Sequence, residues 1–409
     1  MSSFSIPLTG LEAASSALDT IANNLSNMNT TAFKSQTASF ADLIYQQVGA
    51  SGNGDPIELG GGVQVNATNT DFSGGSLNPA GSATDMAIDG NGFFIVQNGN
   101  GTTSLTRDGS FSTNANGDLV TQGGLAVMGY PAQNGVINTS SGLSPIQVPE
   151  NQVESASASS SFSVTGNLDS SAATGTTASM PVTVYDSLGQ QQNVTINFTK
   201  TSANSWSYNI SLPSGAATGG SGLTGTLTFN SAGNLVSPSS NVSNISFTGL
   251  SDGASNLNMT WNLFGNNQTS NMSQVATATT CSPSTTDGYA SGNYTGFSVG
   301  SSGIISAQFS NGRTQAIGQV ALANVANDQG LQVEGGNLYQ TTLASGNSSV
   351  GVAGTGSLGN IEGSELEGSN VNISTEFANL VVAQNSYEAS SKAITTFDHI
   401  DQDTINMIS

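Results

Sequence analysis

The chain has 409 residues, 8% of them charged, with 26 acids against 5 bases and a net charge of −21. Five scattered cations cannot form the basic patch that phosphate requires, so nucleic-acid binding is excluded and docking on an anionic membrane is disfavoured. Hydrophobic residues make up 36%, which with abundant Gly, Ser, Thr and Asn favours about two to four thin β-rich domains over one large globule.

The first element reads as a helix. Leu11, Ala14, Leu18, Ile21, Leu25 and Met28 recur at alternating spacings of three and four residues, a heptad-type stripe. Thr9 is placed as its N-cap, with Glu12 three residues later completing a capping box. The N-terminal stretch has neither a basic region nor a continuous apolar core, so it reads as no cleavable secretory signal. No apolar run reaches the ~18–20 residues of a membrane span, so no membrane insertion is expected. The helix then runs into ANNLSNMNTTAFKSQ, residues 22–36. Asn23, Asn24, Asn27, Asn29 and Thr30 carry amides and a hydroxyl able to satisfy backbone groups that a helix end leaves unpaired. The stretch is read as an ordered helix exit that contacts other subunits. Phe33 and Lys34 then lead into a long extended segment.

The middle of the chain reads as strands and turns. VQVNAT (63–68) alternates, and MAIDGNGFFIV (86–96) gives a strand, an Asn-Gly turn and a strand. VTVYDSLGQQQNVTINF (182–198) predicts a hairpin turning at Gly189. Trp206, Tyr208, Ile210 and Leu212 alternate, as do Leu257, Met259, Trp261 and Leu263. Residues 160–265 are therefore expected to form an all-β unit, flanked by the low-complexity linkers SASASSS and NNQTSNMSQVATATT. Strand-like pattern returns over 285–345. The one cysteine, Cys281, allows no intramolecular disulfide and reads as a small residue in a Ser/Thr loop.

The chain closes on a second helix. Phe377, Leu380, Tyr387, Ile394, Phe397, Ile400, Ile405 and Ile408 recur at helical spacing, with no Pro or Gly from 371 to 409. Ser374 is placed as the N-cap, and the length comes to roughly 50 Å. The fold class is thus a multidomain, mostly β chain of nested, discontinuous domains. A coiled-coil-like helical domain (1–30 with 371–409) is joined through an extended linking region (31–72 with 341–370) to a β-rich middle domain (73–158 with 282–340). An inserted outer β domain occupies 159–281.

No chemistry of catalysis emerges. The single histidine, His399, lies in DHIDQD on the closing helix and reads as part of a solvated face. GTGSLG (354–359) lacks the strand and helix a dinucleotide site needs, because Gly363 and Gly368 interrupt the segment after it. Around Asp89-Gly90-Asn91-Gly92 a calcium-loop frame puts Ala87 at the first ligand position. Glu362 and Glu365 have no second acid that sequence can place opposite them. Neither an enzyme nor a cofactor is expected.

The terminal stretches resemble the bacterial flagellar rod and hook proteins. ANNLSNMNTTAFKS is similar to that family's N-terminal signature, carried here by Asn23, Asn24, Asn27, Asn29, Thr30, Phe33 and Lys34. EFANLVVAQNSYEASSKAITTFD (376–398) is similar to its closing helix, at Glu376, Leu380, Val381, Gln384 and Tyr387. TDMAIDGNGFFIV and TRDGSFSTNANGDLVTQGGLAVMGYPA are similar to its core, and the 160–265 insertion matches hook better than rod members. Two positions depart from the pattern. Ala32 stands where the family usually has glycine, which counts against a positive-φ requirement there. Ser390 stands where asparagine is common.

The resemblance implies a hook subunit exported unfolded through the flagellar type III apparatus. It implies polymerisation under a cap into a short curved tube outside the cell, and partners in the rod, the hook cap and the hook–filament junction proteins. Isolated helices are marginal in water, so the termini are expected to be disordered in the free subunit. Leu11, Leu18, Ile21, Leu25, Met28, Phe377, Leu380, Val381, Gln384, Tyr387 and Ile394 are expected to form the subunit interface. Pairing of the helices across copies is favoured over a hairpin within one chain, because narrow stripes on long helices leave apolar surface uncovered. A distal rod subunit is the nearest alternative, followed by a secreted β-rich adhesin and, last, a glycan hydrolase.

Overall fold

A computed structural model describes residues 5–50, 56–150, 152–265, 269–282 and 284–408. The chain divides into two units, each visited more than once. Met1–Pro149, Phe297–Ala307 and Gln315–Ser409 make the first, and Glu150–Gly296 with Gln308–Thr314 the second. Among the described residues the only α-helices are α1, Ser5–Ser26, and α2, Ile373–Ile408, both in the first unit.

Both helix starts differ from the sequence reading. α1 already runs from Ser5, so Thr9 lies inside it. Its Oγ1 donates to the Ile6 carbonyl (2.8 Å) and accepts from the Val63 N–H (3.3 Å). A threonine can bond a carbonyl one turn back as readily as it caps, and Pro7 is tolerated in the first turn. At α2 the cap is Asn372 instead of Ser374. Its Oδ1 accepts from the N–H groups of Ser374 (3.0 Å) and Thr375 (3.2 Å). Asparagine is among the best capping residues, and here it precedes the apolar stripe by two more residues than Ser374 does.

The β body of the first unit is built on buried, alternating strands. Phe93–Gln97 pairs antiparallel with Thr103–Thr106 on one side and with Ala126–Gln133 on the other. Ala126–Gln133 in turn pairs with Thr314–Asn324. Because strand side chains alternate, Phe94 and Val96 enter one core with Val127, Val320 and Leu322, while Phe93 and Ile95 enter another with Met128, Tyr130 and Ala323. Burial on both faces explains the unbroken FFIV run. The turn before it joins two strands that do not pair with each other: Met86–Asp89 pairs with Asn360–Gly363 instead. Gly90 (φ +112°) and Gly92 (φ +118°) supply the backbone this bend requires. GTGSLG is a loop, with Gly354 and Gly356 at positive φ.

The second unit is all β. Thr177–Tyr185 and Gln191–Ser202 form the expected hairpin, with Val182 opposite Val194 and Gly189 at φ +81°. Ser205–Ser211, Thr224–Phe229 and Leu235–Ser237 extend it to five strands. A second five-stranded sheet carries Val242–Leu250 beside Leu257–Trp261. Both contribute to one core that encloses Trp206 and Trp261.

The described residues of the polar stretches read as linkers are structural parts of this unit. Asp287 accepts from the N–H groups of Ser160 and Ser161 (2.9 Å each). Ser159 Oγ accepts from the Tyr185 N–H at 2.8 Å. Buried Gln274 accepts the Trp206 Nε1–H at 3.0 Å and donates to the Ala203 carbonyl. Composition alone cannot separate a solvated linker from polar side chains that satisfy buried groups.

Candidate assembly surface

α1 and α2 pair antiparallel within one chain, where the sequence favoured pairing across copies. Asn24 Nδ2 donates to Glu376 Oε1 at 3.2 Å near one end. At the other end a Cβ on Gly10 would sit 3.1 Å from Ser390 Oγ. Ser390, the departure from the family's asparagine, therefore leaves room for the close approach of the two helices. Small residues fill the rest of the seam, with Ala13, Ala14 and Ala383 buried. A cavity of about 510 Å³ opens beside it, lined among others by Ala17, Ala38, Phe40, Val63 and Val382.

The hairpin does not cover the apolar stripes. Of the expected interface residues, only Ile21 is buried. Leu11, Leu18, Leu25, Leu380 and Ile394 are half-buried, while Gln384 and Tyr387 are exposed. Met28 lies in the turn after α1 and is exposed. Phe377 and Val381 are each 55% exposed, and further along α2 so are Ile400, Ile405 and Met407. These apolar rows are left uncovered within one chain.

The amide-rich exit ties α1 to the strand Gln36–Asp42 that follows it. Asn24, 1% exposed, accepts from the Gln36 N–H (2.9 Å) and donates to the Gln36 carbonyl (2.8 Å). Asn27 Nδ2 donates to the Asn23 carbonyl at 2.9 Å, and Thr30 Oγ1 donates to Asn27 Oδ1 at 3.1 Å. Asn29 is exposed. Phe33 lies in the loop that leaves the exit, its N–H donating to the Thr30 carbonyl at 3.2 Å. Ala32 holds φ +54° and is fully buried, its N–H donating to the Glu367 carbonyl at 2.8 Å. The left-handed backbone that alanine argued against is therefore present.

Beneath the exit lies a buried charge cluster. Lys34 Nζ donates to Glu367 Oε1 and to the Ser73 carbonyl, both at 2.6 Å. Arg107 Nε donates to Glu367 Oε2 at 3.0 Å, and its Nη1 reaches the carbonyls of Gly90 (2.8 Å) and Gly92 (2.7 Å). The Gly75 N–H also donates to Glu367 Oε1 at 2.9 Å. Burial pushes the Lys34 ammonium below the usual lysine range, with Glu367 opposing. Burial would raise the Glu367 carboxyl, but Arg107 and Lys34 outweigh it and hold it below the usual range.

Sequence reasoning reached Lys34 and missed Arg107, Glu367 and Asn370. Asn370 accepts the Ser35 N–H at 2.8 Å and donates to the Asp71 carbonyl at 2.8 Å. The available signal was scarcity: in a chain with five bases, each one invites a search for the acid that holds it. Among the described residues no cluster of side chains suits a metal ion, and no helix is long and apolar enough to cross a membrane.

Four family models match along the chain. Residues 7–34 match the family model described as flagella basal body rod protein, and 363–407 match flagellar basal body rod FlgEFG protein C-terminal. Residues 87–170 match the flagellar hook protein FlgE/F/G D1 domain, and 152–289 the flagellar basal body protein FlaE D2 domain. The chain is 33% identical to the flagellar hook protein FlgE of Escherichia coli K12, covering 99% of each chain. It is 34% identical to that of Salmonella typhimurium LT2 (99% of this chain, 100% of the other) and 31% identical to that of Treponema pallidum (96% of each). The crystal structure of Helicobacter pylori flagellar hook protein FlgE2 shares the fold, with a TM-score of 0.55 and 16% identity over 71% of this chain and 100% of that one.

Proposed function

Because the chain belongs to the flagellar hook protein family, and is thus a structural subunit of the bacterial flagellar hook outside the cell and no enzyme, we infer that it polymerises through its terminal helices. The observation that carries this reading is the uncovered apolar face of α2, with Phe377 and Val381 each 55% exposed although α2 is paired with α1. Burying such a side chain contributes about 1.5–3 kcal/mol, so a few per copy offset the cost of ordering. Leu11, Leu18, Leu25, Leu380 and Ile394, half-buried in one chain, complete the surface when copies pack.

The sequence-based division is the working map of the polymer. The helical pair forms the inner wall, and the inserted domain at 159–281 faces outward. Rod, hook cap and hook–filament junction proteins are the partners at the ends of the tube, and the flagellar type III apparatus is the route of export. The tube serves as a universal joint that carries torque from rod to filament. Outer surfaces of Ser, Thr, Asn and Gly offer interchangeable, hydrated contacts that let copies slide as it bends.

Negative-stain electron microscopy of the full chain beside a version lacking residues 1–30 and 372–409 tests the reading. Hollow tubes from the full chain and single particles from the truncation are expected. A full chain that stays monomeric at every salt and concentration, with protease-resistant termini, would overturn it.

A further inference from the structure

Three of the chain's five cations are buried, and a fourth is held by an acid and a ring. Lys34, Arg107 and Lys200 are 2–3% exposed. Arg313 pairs with Glu154 at 3.1 Å and stacks on the Tyr289 ring at 3.8 Å. Only Lys392, exposed on α2, lacks an ion pair and a ring contact among the described residues. Glu388 lies one turn before it on the same helix, yet the two form no ion pair.

Its position comes from the helical repeat. Ala383, Glu376 and Ser390 face α1. At about 100° per residue, Lys392 lies roughly 180° from Ala383, on the same outward row as the exposed Phe377 and Val381. The outward face of α1 is its counterpart. Leu8, Glu12, Ser15, Asp19, Ala22 and Ser26 recur at spacings of four and three, opposite the seam formed by Gly10, Ala14 and Ile21. Glu12 and Asp19 are acids of this row, and Ala22 and Ser26 are small.

Resting on the polymer reading above, we propose that Lys392 of one copy pairs with Glu12 of α1 in a second copy, and that this pair sets the register between neighbours. The antiparallel register, Asn24 beside Glu376 and Gly10 beside Ser390, puts Lys392 level with Leu8 in its own chain. A second copy displaced by one helical turn, about 6 Å, brings its Glu12 to that level. The same displacement sets Val381 level with the turn between the small Ala22 and Ser26 of the outward row, and Phe377 just past Ser26, where α1 ends. Asp19 would need a displacement of roughly 16 Å, which removes that fit. A groove-and-ridge contact between different faces of identical copies is heterologous, and repeats as a helix instead of closing as a dimer.

The test is charge exchange, read as the critical concentration for tube formation at low ionic strength. Lys392→Glu and Glu12→Lys are each expected to raise it about fivefold or more. The double variant, which restores opposite charges at every interface, is expected to return within about twofold of the parent. Asp19→Lys combined with Lys392→Glu is expected to give no rescue. Helical circular dichroism and tryptophan emission check that each variant folds, and Lys392→Gln replaces any that does not, with a smaller rise expected. Tubes from Lys392→Glu at the parental concentration, a double variant no better than the singles, or rescue by Asp19→Lys would each overturn the pair. A parental chain that forms no tubes at all removes the polymer reading and the pair with it.

Discussion

Ala32 keeps a conformation that its side chain opposes. A Cβ in the left-handed region costs roughly 1–2 kcal/mol, while glycine loses roughly 0.5–1 kcal/mol of backbone entropy on folding. Ala32→Gly is therefore expected to leave stability unchanged or raise it by up to about 1 kcal/mol, and Ala32→Val to lower it, read by denaturant unfolding of the helical signal. Glu367 works in the opposite sense. Glu367→Gln leaves two buried cations without their carboxylate, and loss of one partner from such a cluster costs roughly 3–5 kcal/mol. The pH dependence has a definite sign. The folded chain holds Glu367 below the usual carboxylate range, so its stabilisation is complete above that range and fades as pH falls through the folded value. Lys34 has a lowered value in the folded chain, so the cost of burying its charge falls as pH rises toward the ordinary lysine range. Glu367→Gln is expected to flatten the acid limb of the parental stability curve. Lys34 was legible in the sequence because bases are rare. Glu367 was not, because it lies 333 residues away along the chain and only the folded topology brings the two together.

At the scale of elements, the helices were legible from periodicity and their ends were not. Spacings of three and four identify a face, but Thr9 and Asn372 show that a hydroxyl or amide near a helix start can bond inward or outward. The meander of the second unit was legible because Val182, Val194, Trp206 and Tyr208 alternate into a single core. The strand Met86–Asp89 was legible as a strand, yet its partner, Asn360–Gly363, lies far along the chain and left no local trace. The helix seam yields a graded expectation at Gly10. Alanine there gains up to about 1 kcal/mol of helix propensity, and its methyl needs only a rotation of the Ser390 hydroxyl. Leucine extends past the Ser390 contact, so it must push α2 away or turn into the cavity that Gly10 also lines. Gly10→Leu is expected to separate α1 from α2, seen as faster amide exchange over Ser5–Ser26, while Gly10→Ala keeps the parental protection.

For the molecule as a whole, the two units have separate cores and separate reporters. Both tryptophans of the chain, Trp206 and Trp261, lie in the core of the second unit. Both described helices belong to the first. The second unit closes its own core around both tryptophans, and units with cores of their own can unfold in separate transitions. Much of the apolar surface of α1 and α2 stays exposed in a single copy, whereas the tryptophan core is closed. The helices are therefore the less stable part of a free subunit. On heating the free chain, the helical signal is expected to be lost first and the tryptophan emission to shift at a higher temperature. In assembled tubes the helical transition is expected to rise, because in the proposed packing copies cover the face of α2 that carries Phe377 and Val381 and binding stabilises only the folded form. The tryptophan transition should move far less. A single coincident transition in the free chain would mean that the units unfold as one. A helical transition unmoved by assembly would mean that α2 is not where the copies meet.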